Sequence, residues 1–170
     1  AGGLTVSHLR VSEKPIKSAD LVSQAHFVAC HQWQFIDLYQ MAERLRPGGI
    51  FLLNTPFSAA EVWERLPLEV QATLRQREAR FYVINAAKIA RECKLGARIN
   101  TVMQMAFFHL TQILPGDQAL AELQGAIARS YSSKGDEIVT RNWMALAATL
   151  EELVCVPLQA IPENPRKRPP

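Results

Sequence analysis

The stretch Leu45-Arg-Pro-Gly-Gly-Ile-Phe-Leu-Leu53 limits the possible folds of this chain more than any other part of it. Proline cannot continue a helix, and the paired glycines permit a tight turn. The four large apolar residues that follow form a run too short for a helix and right for a strand buried on both faces. Upstream, Phe35, Leu38, Ala42 and Leu45 recur at helical spacing, while Asp37, Gln40, Glu43 and Arg44 fall mostly on the other side. That spacing predicts an amphipathic helix over residues 33–45. Earlier still, His26-Phe-Val-Ala-Cys-His31 has a short apolar centre between polar ends and reads as a second strand buried on both faces. Strand, helix, turn and strand make a βαβ unit, for which parallel pairing and a right-handed crossover are expected.

The same alternation continues downstream. Residues 54–57 read as a loop, and Ser58-Ala-Ala-Glu61 matches a capping box that opens a helix. Pro67 starts another helix that runs to about Glu78, with Leu68, Val70 and Leu74 as its apolar positions. Phe81-Tyr-Val-Ile84 is a third buried strand, followed by a short helix over 86–93. Three helices then follow without an intervening strand. The first, over 99–114, is apolar nearly all round and must be covered. The second carries Leu120, Leu123, Ile127 and Tyr131, and the third Val139, Trp143, Leu146, Leu150 and Leu153. At the front, residues 4–11 alternate like a strand, and residues 18–25 suit a short helix capped by Ser18. The fold class expected is α/β: a mostly parallel, Rossmann-like sheet flanked by helices, with additional C-terminal helices.

Composition narrows the function. The formal charge of +3 is concentrated at the end: Arg166, Lys167 and Arg168 against Glu163 leave the body close to neutral, which gives no case for a nucleic-acid surface. The longest apolar stretch, 102–114, is interrupted by Gln104, His109 and Gln112 and is too short to span a membrane. The three cysteines, Cys30, Cys93 and Cys155, are scattered with no C-x-x-C pair, an arrangement that argues against disulfides and against a metal knuckle and favours a reducing cytoplasm. Half of the ten prolines fall at or after Pro157, so residues 157–170 read as a proline-rich, basic linker leaving the domain.

In open parallel sheets ligands bind where loops leave the carboxyl ends of strands. Those places are residues 8–10, 30–32, 54–57 and 85–87. Cys30-His31 could pair a nucleophile with a base, but neighbouring strand residues point to opposite faces and no orienting third group is visible. His109 reads as a hydrogen-bonded core or interface histidine. Arg98-Ile-Asn100 sits where a glycine turn opens a helix, so it suits either an anion site or a capping network with a buried ion pair for Arg98. No G-x-G-x-x-G and no P-loop occurs.

Several stretches together resemble the γ-type (third) domain of the pyruvate:ferredoxin (flavodoxin) oxidoreductase family. They are Gly2-Gly-Leu-Thr-Val-Ser-His-Leu-Arg10, Asp20-Leu-Val with Phe27-Val-Ala-Cys-His31, Leu45 through Pro56, Phe81-Tyr-Val-Ile84, Arg98-Ile-Asn-Thr-Val-Met-Gln104 with Ala106-Phe-Phe108, and Ser130-Tyr to Lys134-Gly135. The resemblance implies that residues 1–156 are that domain, with its glycine-rich opening part lying before residue 1, and that 157–170 lead to the next domain. It implies a cytoplasmic enzyme, a dimer of long chains, that oxidatively decarboxylates pyruvate. Thiamine pyrophosphate, magnesium and [4Fe-4S] clusters would lie in other domains, coenzyme A would take the acetyl group, and ferredoxin or flavodoxin would accept electrons. By this resemblance Arg98 and Asn100, with Asn54 and Thr55 behind them, lie near coenzyme A, although Lys94 and Ala97 stand where glycines are expected. The supporting domain is not expected to be active alone.

Two other readings compete. Leu45-Arg-Pro-Gly-Gly followed by an apolar strand also occurs in S-adenosylmethionine-dependent methyltransferases, but their glycine-rich loop and the acidic residue closing their second strand are absent. A purely structural module joining catalytic domains is the third.

Overall fold

The computed structural model describes residues 5–17 and 20–168. Its sheet has four strands in the order β1 (Ala25–Cys30), β2 (Leu45–Asn54), β3 (Arg80–Ile84) and β4 (Val154–Val156). The first three are parallel and β4 runs antiparallel to β3. Between β2 and β3 lie α2 (Ala59–Arg65) and α3 (Leu68–Gln76), and after β3 come α4 (Ala86–Glu92), α5 (Asn100–Thr111), α6 (Gly116–Tyr131) and α7 (Asp136–Glu152). The stretch between β1 and β2 holds the single-turn helix α1 (Phe35–Leu38).

Strand side chains alternate between two cores, as the pleat requires. Phe51, Leu53, Phe81 and Val83 face Trp63, Leu66, Val70 and Leu74 of the α2–α3 layer. Leu52 and Ile84 face Ile89, Val102, Met103 and Ala145 of the α4–α5–α7 layer. Both faces of β2 and β3 are thus covered at residues 50–53 and 81–84, which is why those stretches are unbroken apolar runs. Outside the second layer α6 closes on α5 and α7 through Met105, Leu123, Ile127, Val139 and Leu146. The C-terminal helices therefore both cover the sheet and add a further layer.

Several expectations are corrected. Residues 5–11 pair with no strand and are exposed, because no face is there to bury their alternating apolar residues. Residues 20–24 are not helical and Ala25 already belongs to β1; Ser18 lies outside the described residues. β1 is buried on neither face throughout: it is an edge, only half-buried until Cys30. The helix over 33–45 is broken. Tyr39 is extended (φ −136°, ψ 142°), and residues Met41–Arg44 form a separate 3-10 turn. The sheet wins here: Leu45 enters β2 opposite Ala25, while Phe27 pairs with Ile50, so the extra residues bulge out between the two pairs. Gly48 takes φ +71° in that bulge, and a Cβ on Gly49 would stand 2.8 Å from the Leu45 side chain.

His109 is exposed, not a core histidine. On α7 the buried positions are Val139, Asn142, Ala145, Leu146 and Thr149, while Trp143 and Leu150 are exposed. The buried polar groups of α7 are satisfied locally. Asn142 donates to the Ile138 carbonyl and accepts from the Thr101 hydroxyl, both at 2.8 Å, and the Thr149 hydroxyl donates to Ala145. From Pro157 the chain stays against the body as far as it is described. Leu158 packs on the first core, and residues 159–168 run back along α2, α3 and the α1 segment.

Candidate functional site

The loops leaving β1, β2 and β3 meet at the carboxyl edge of the sheet, and Asn54, the last residue of β2, binds them together. Its amide nitrogen donates to the His31 carbonyl at 2.9 Å, and its amide oxygen accepts from the Ala86 backbone N–H at 2.9 Å. Thr55 continues the ladder, its N–H bonded to the Ile84 carbonyl at 3.0 Å. Thr55 is only 2% exposed, and its hydroxyl accepts from the Phe57 N–H at 3.2 Å. Asn85, last before α4, caps that helix by accepting from the Lys88 N–H.

A cleft of about 270 Å³ opens between these loops, lined by Trp33, Asn54, Thr55, Pro56, Asn85, Ala87 and Arg91. Arg91 is the one charged residue of the wall, so the cleft suits a neutral or anionic group. Trp33 supplies a flat apolar side and meets Phe57 edge-to-face, ring centres 4.8 Å apart. Ala87 and Arg91 share a face of α4 four residues apart, a relation visible in the sequence only once the end of β3 is known to be the rim. Trp33 gave no signal beyond its position two residues after His31.

Of the four residues expected near coenzyme A, Asn54 and Thr55 form this wall, but both spend their hydrogen-bonding groups on the loops. Arg98 and Asn100 do not line the cleft. Both are exposed, Arg98 in the loop before α5 and Asn100 as the first residue of that helix, and the Arg98 Nε donates to the Leu95 carbonyl at 3.2 Å. No side chain caps α5, and among the described residues no ion pair of Arg98 is seen, so the capping and buried-pair alternative finds no support there. Residues 8–10 are not at a strand end; His8 Nδ1 accepts from the Val22 N–H and Arg10 donates to the Leu21 carbonyl.

Cys30 and His31 do not make a nucleophile and base. The Cys30 thiol is fully buried and donates to the Gln32 carbonyl at 3.1 Å; burial pushes its pKa to about 11, so it stays protonated and inert at neutral pH. Partial desolvation lowers the His31 pKa from its ordinary value. Among the described residues no three His, Cys, Asp or Glu side chains converge to hold a metal ion. No described helix is long and apolar enough to cross a membrane.

Residues 1–152 match the family model described as pyruvate ferredoxin/flavodoxin oxidoreductase. The chain belongs to that family. It is 76% identical over 170 residues to a probable pyruvate-flavodoxin oxidoreductase of Escherichia coli, covering all of this chain and 14% of that protein. It is 45% identical to the pyruvate-flavodoxin oxidoreductase of Trichormus variabilis, with 100% and 14% covered. To the pyruvate:ferredoxin oxidoreductase of Moorella thermoacetica it is 43% identical, with 90% and 13% covered. The chain thus spans about 14% of the length of these relatives and corresponds to one part of such multidomain enzymes. The crystal structure of pyruvate oxidoreductase subunit PORC from Thermotoga maritima shares the fold, with a TM-score of 0.60 at 21% identity over 79% of this chain and 66% of that one. Family membership sets the methyltransferase reading aside.

Proposed function

We propose that the chain is a supporting α/β domain of a multidomain enzyme that oxidatively decarboxylates pyruvate to acetyl-coenzyme A and CO2, passing electrons to flavodoxin or ferredoxin. The observation that carries this is the 76% identity along the whole chain to about one-seventh of a pyruvate-flavodoxin oxidoreductase. In this reading residues 1–156 are the γ-type domain and the segment from Pro157 leads to the next domain of a cytoplasmic, dimeric enzyme. Thiamine pyrophosphate, magnesium and the [4Fe-4S] clusters belong to other domains in this reading, and no step of the reaction is assigned to these residues.

The chain's own share is to form part of the surroundings of coenzyme A. Asn54 and Thr55 hold the loops of the cleft in place, and Arg98 and Asn100, on an exposed glycine turn, offer a cation and an amide to the phosphates of the cosubstrate. A cleft of about 270 Å³ falls short of the size of drug-like ligand pockets, roughly 300–1,000 Å³, and admits only one end of so long a molecule.

The test is pyruvate-dependent reduction of a viologen dye by the full-length enzyme, titrated with coenzyme A. Arg98→Ala is expected to raise the KM for coenzyme A several-fold and leave that for pyruvate unchanged. An unchanged KM for coenzyme A would sink the assignment of Arg98. The isolated 170-residue chain is expected to give no turnover, and turnover by it would overturn the supporting role itself.

A further inference from the structure

The wall residue Trp33 stands just before a helix of a single turn, α1, which is far too short to hold its own shape. Ile36 anchors it in the first core, and its outer side is tied to the other end of the chain. The Trp63 indole N–H donates to the Ala160 carbonyl at 3.1 Å, and the Arg75 guanidinium to the Gln159 carbonyl at 2.6 Å. Further along, Arg166 is bound through both its backbone and its side chain. Its carbonyl accepts the Leu68 N–H at 2.8 Å, one of the free donors at the start of α3. Its Nε donates to the Arg65 carbonyl at 2.6 Å, and its Nη2 pairs with the Asp37 carboxylate at 2.5 Å. Arg168 then reaches the Tyr39 carbonyl at 3.2 Å.

These partners fall in two groups. Asp37 and Tyr39 belong to the stretch that begins at Trp33, whereas Arg65 and Leu68 flank the junction of α2 and α3. Arg166 is therefore the clamp between the cleft's outer wall and the firm helical layer. Its guanidinium carbon also lies 5.9 Å from the centre of the Trp33 ring, near the limit for a cation–π contact. On its other side Trp33 meets Phe57, which is itself covered by Arg65 at 4.3 Å. The indole is enclosed between a ring fixed by α2 and a guanidinium fixed by the tail.

We propose that residues 157–168 are a strap and that Arg166 is the positioning residue that holds Trp33 in the cleft wall. The planar fork of arginine is needed, because the Arg65 carbonyl and the Asp37 carboxylate are met by different nitrogens of one group, which a lysine ammonium cannot reproduce. Displacing the strap loosens the outer side of the α1 segment around Trp33, and with it one side of the cleft, while Ile36, the sheet and the α4 side stay in place. The state of the strap thereby controls the width of the cleft, whatever that cleft binds.

The experiment uses the full 170-residue chain labelled with 5-fluorotryptophan. Its three tryptophans, Trp33, Trp63 and Trp143, give separate fluorine signals, assigned by Trp→Phe substitution one at a time. In Arg166→Ala the Trp33 signal should shift and its relaxation by a soluble paramagnetic agent should increase several-fold, with Trp143 unchanged. Arg166→Lys should restore this only in part. If Arg166→Ala does not fold, Asp37→Asn, which keeps shape and removes the charge pair, should move the Trp33 signal in the same direction by less. A Trp33 signal that keeps its position and accessibility in the folded variants, even with a lowered melting temperature, would reduce the strap to a general stabiliser and overturn the proposal.

Discussion

The two ends of the described chain lack regular helix or strand over most of their length, yet they behave in opposite ways. Residues 5–17 are exposed throughout, and Val6, Leu9, Val11, Ile16 and Leu21 stand 50–74% open to solvent. Its bonds from His8 to Val22 and from Arg10 to Leu21 join it to the next few residues of the same end. Residues 157–168 are more polar and richer in proline, but they are fastened to the body at Ala160, Gln159 and Arg166. Apolar content therefore does not decide which end docks. The difference lies in what the body offers. Beside α2 and α3 stand donors with no use inside the fold: an indole N–H, an arginine and the first N–H groups of a helix. A strand without a helix of its own can satisfy them with its carbonyls.

The largest effect on this contrast should come from Trp63→Ala. Trp63 is 1% exposed, lies among Phe81, Leu66 and Val70, and holds the Ala160 carbonyl. Truncating a buried tryptophan costs about 3–5 kcal/mol, a large part of the roughly 5–15 kcal/mol available to a domain. Amide hydrogen exchange should show residues 158–168 losing protection together with the sheet, while the arm, exposed from the outset, exchanges as before. A tail that keeps its protection in this variant would mean that its anchorage does not depend on the α2 layer.

The sheet and the contrast between the ends were not equally visible in the residues. Residues 50–53 and 81–84 could be read as buried strands because every position is apolar, and in a parallel sheet covered on both faces nothing else is possible. The Ser58–Glu61 cap was equally plain, and so was the rim of the cleft at Asn54, since loops after parallel strands converge. The α1 region misled because Leu38 and Leu45 fit a helical stripe, whereas the sheet required Leu45 as a strand residue and left Leu38 outside. β4 was hidden because Leu153, one residue past the end of α7, continues its spacing, and the three residues of β4 that follow are too short a run to stand out. The docked tail was hidden for a deeper reason. Its anchors are largely backbone carbonyls, which carry no residue signature, so prolines and basic residues suggested a linker. Arg91 and Trp33 became site residues only through the topology.

A smaller effect, confined to the docked end, should come from acid. Glu61 accepts the Ser58 hydroxyl at 2.6 Å and its N–H at 3.2 Å, and these bonds hold its carboxyl below the ordinary value of 4.5. A group whose pKa falls on folding stabilises the fold above its unfolded pKa and ceases to do so as the pH drops through the lowered one. The helix it caps, α2, carries both Trp63 and Arg65, to which the strap is tied. The margin in melting temperature between the native chain and Glu61→Gln should thus be widest near neutrality and shrink as the pH falls below 4.5. A margin that is constant with pH would remove the cap from the account.

The smallest effect is expected at the other end, and it tests the comparison most directly. Val6→Asp with Leu9→Asp places two charges where two apolar side chains now meet water. Substitutions at such positions usually change stability by no more than about 0.5 kcal/mol. The pair should therefore leave the melting temperature nearly unchanged. Leu158→Asp, a single change at the docked end, puts a charge against the core containing Phe81 and Val156 and must either bury it at a cost or lift the strand. If the double variant in the arm proves as damaging as Leu158→Asp, the arm has a surface to rest on, and the two ends differ in degree rather than in kind.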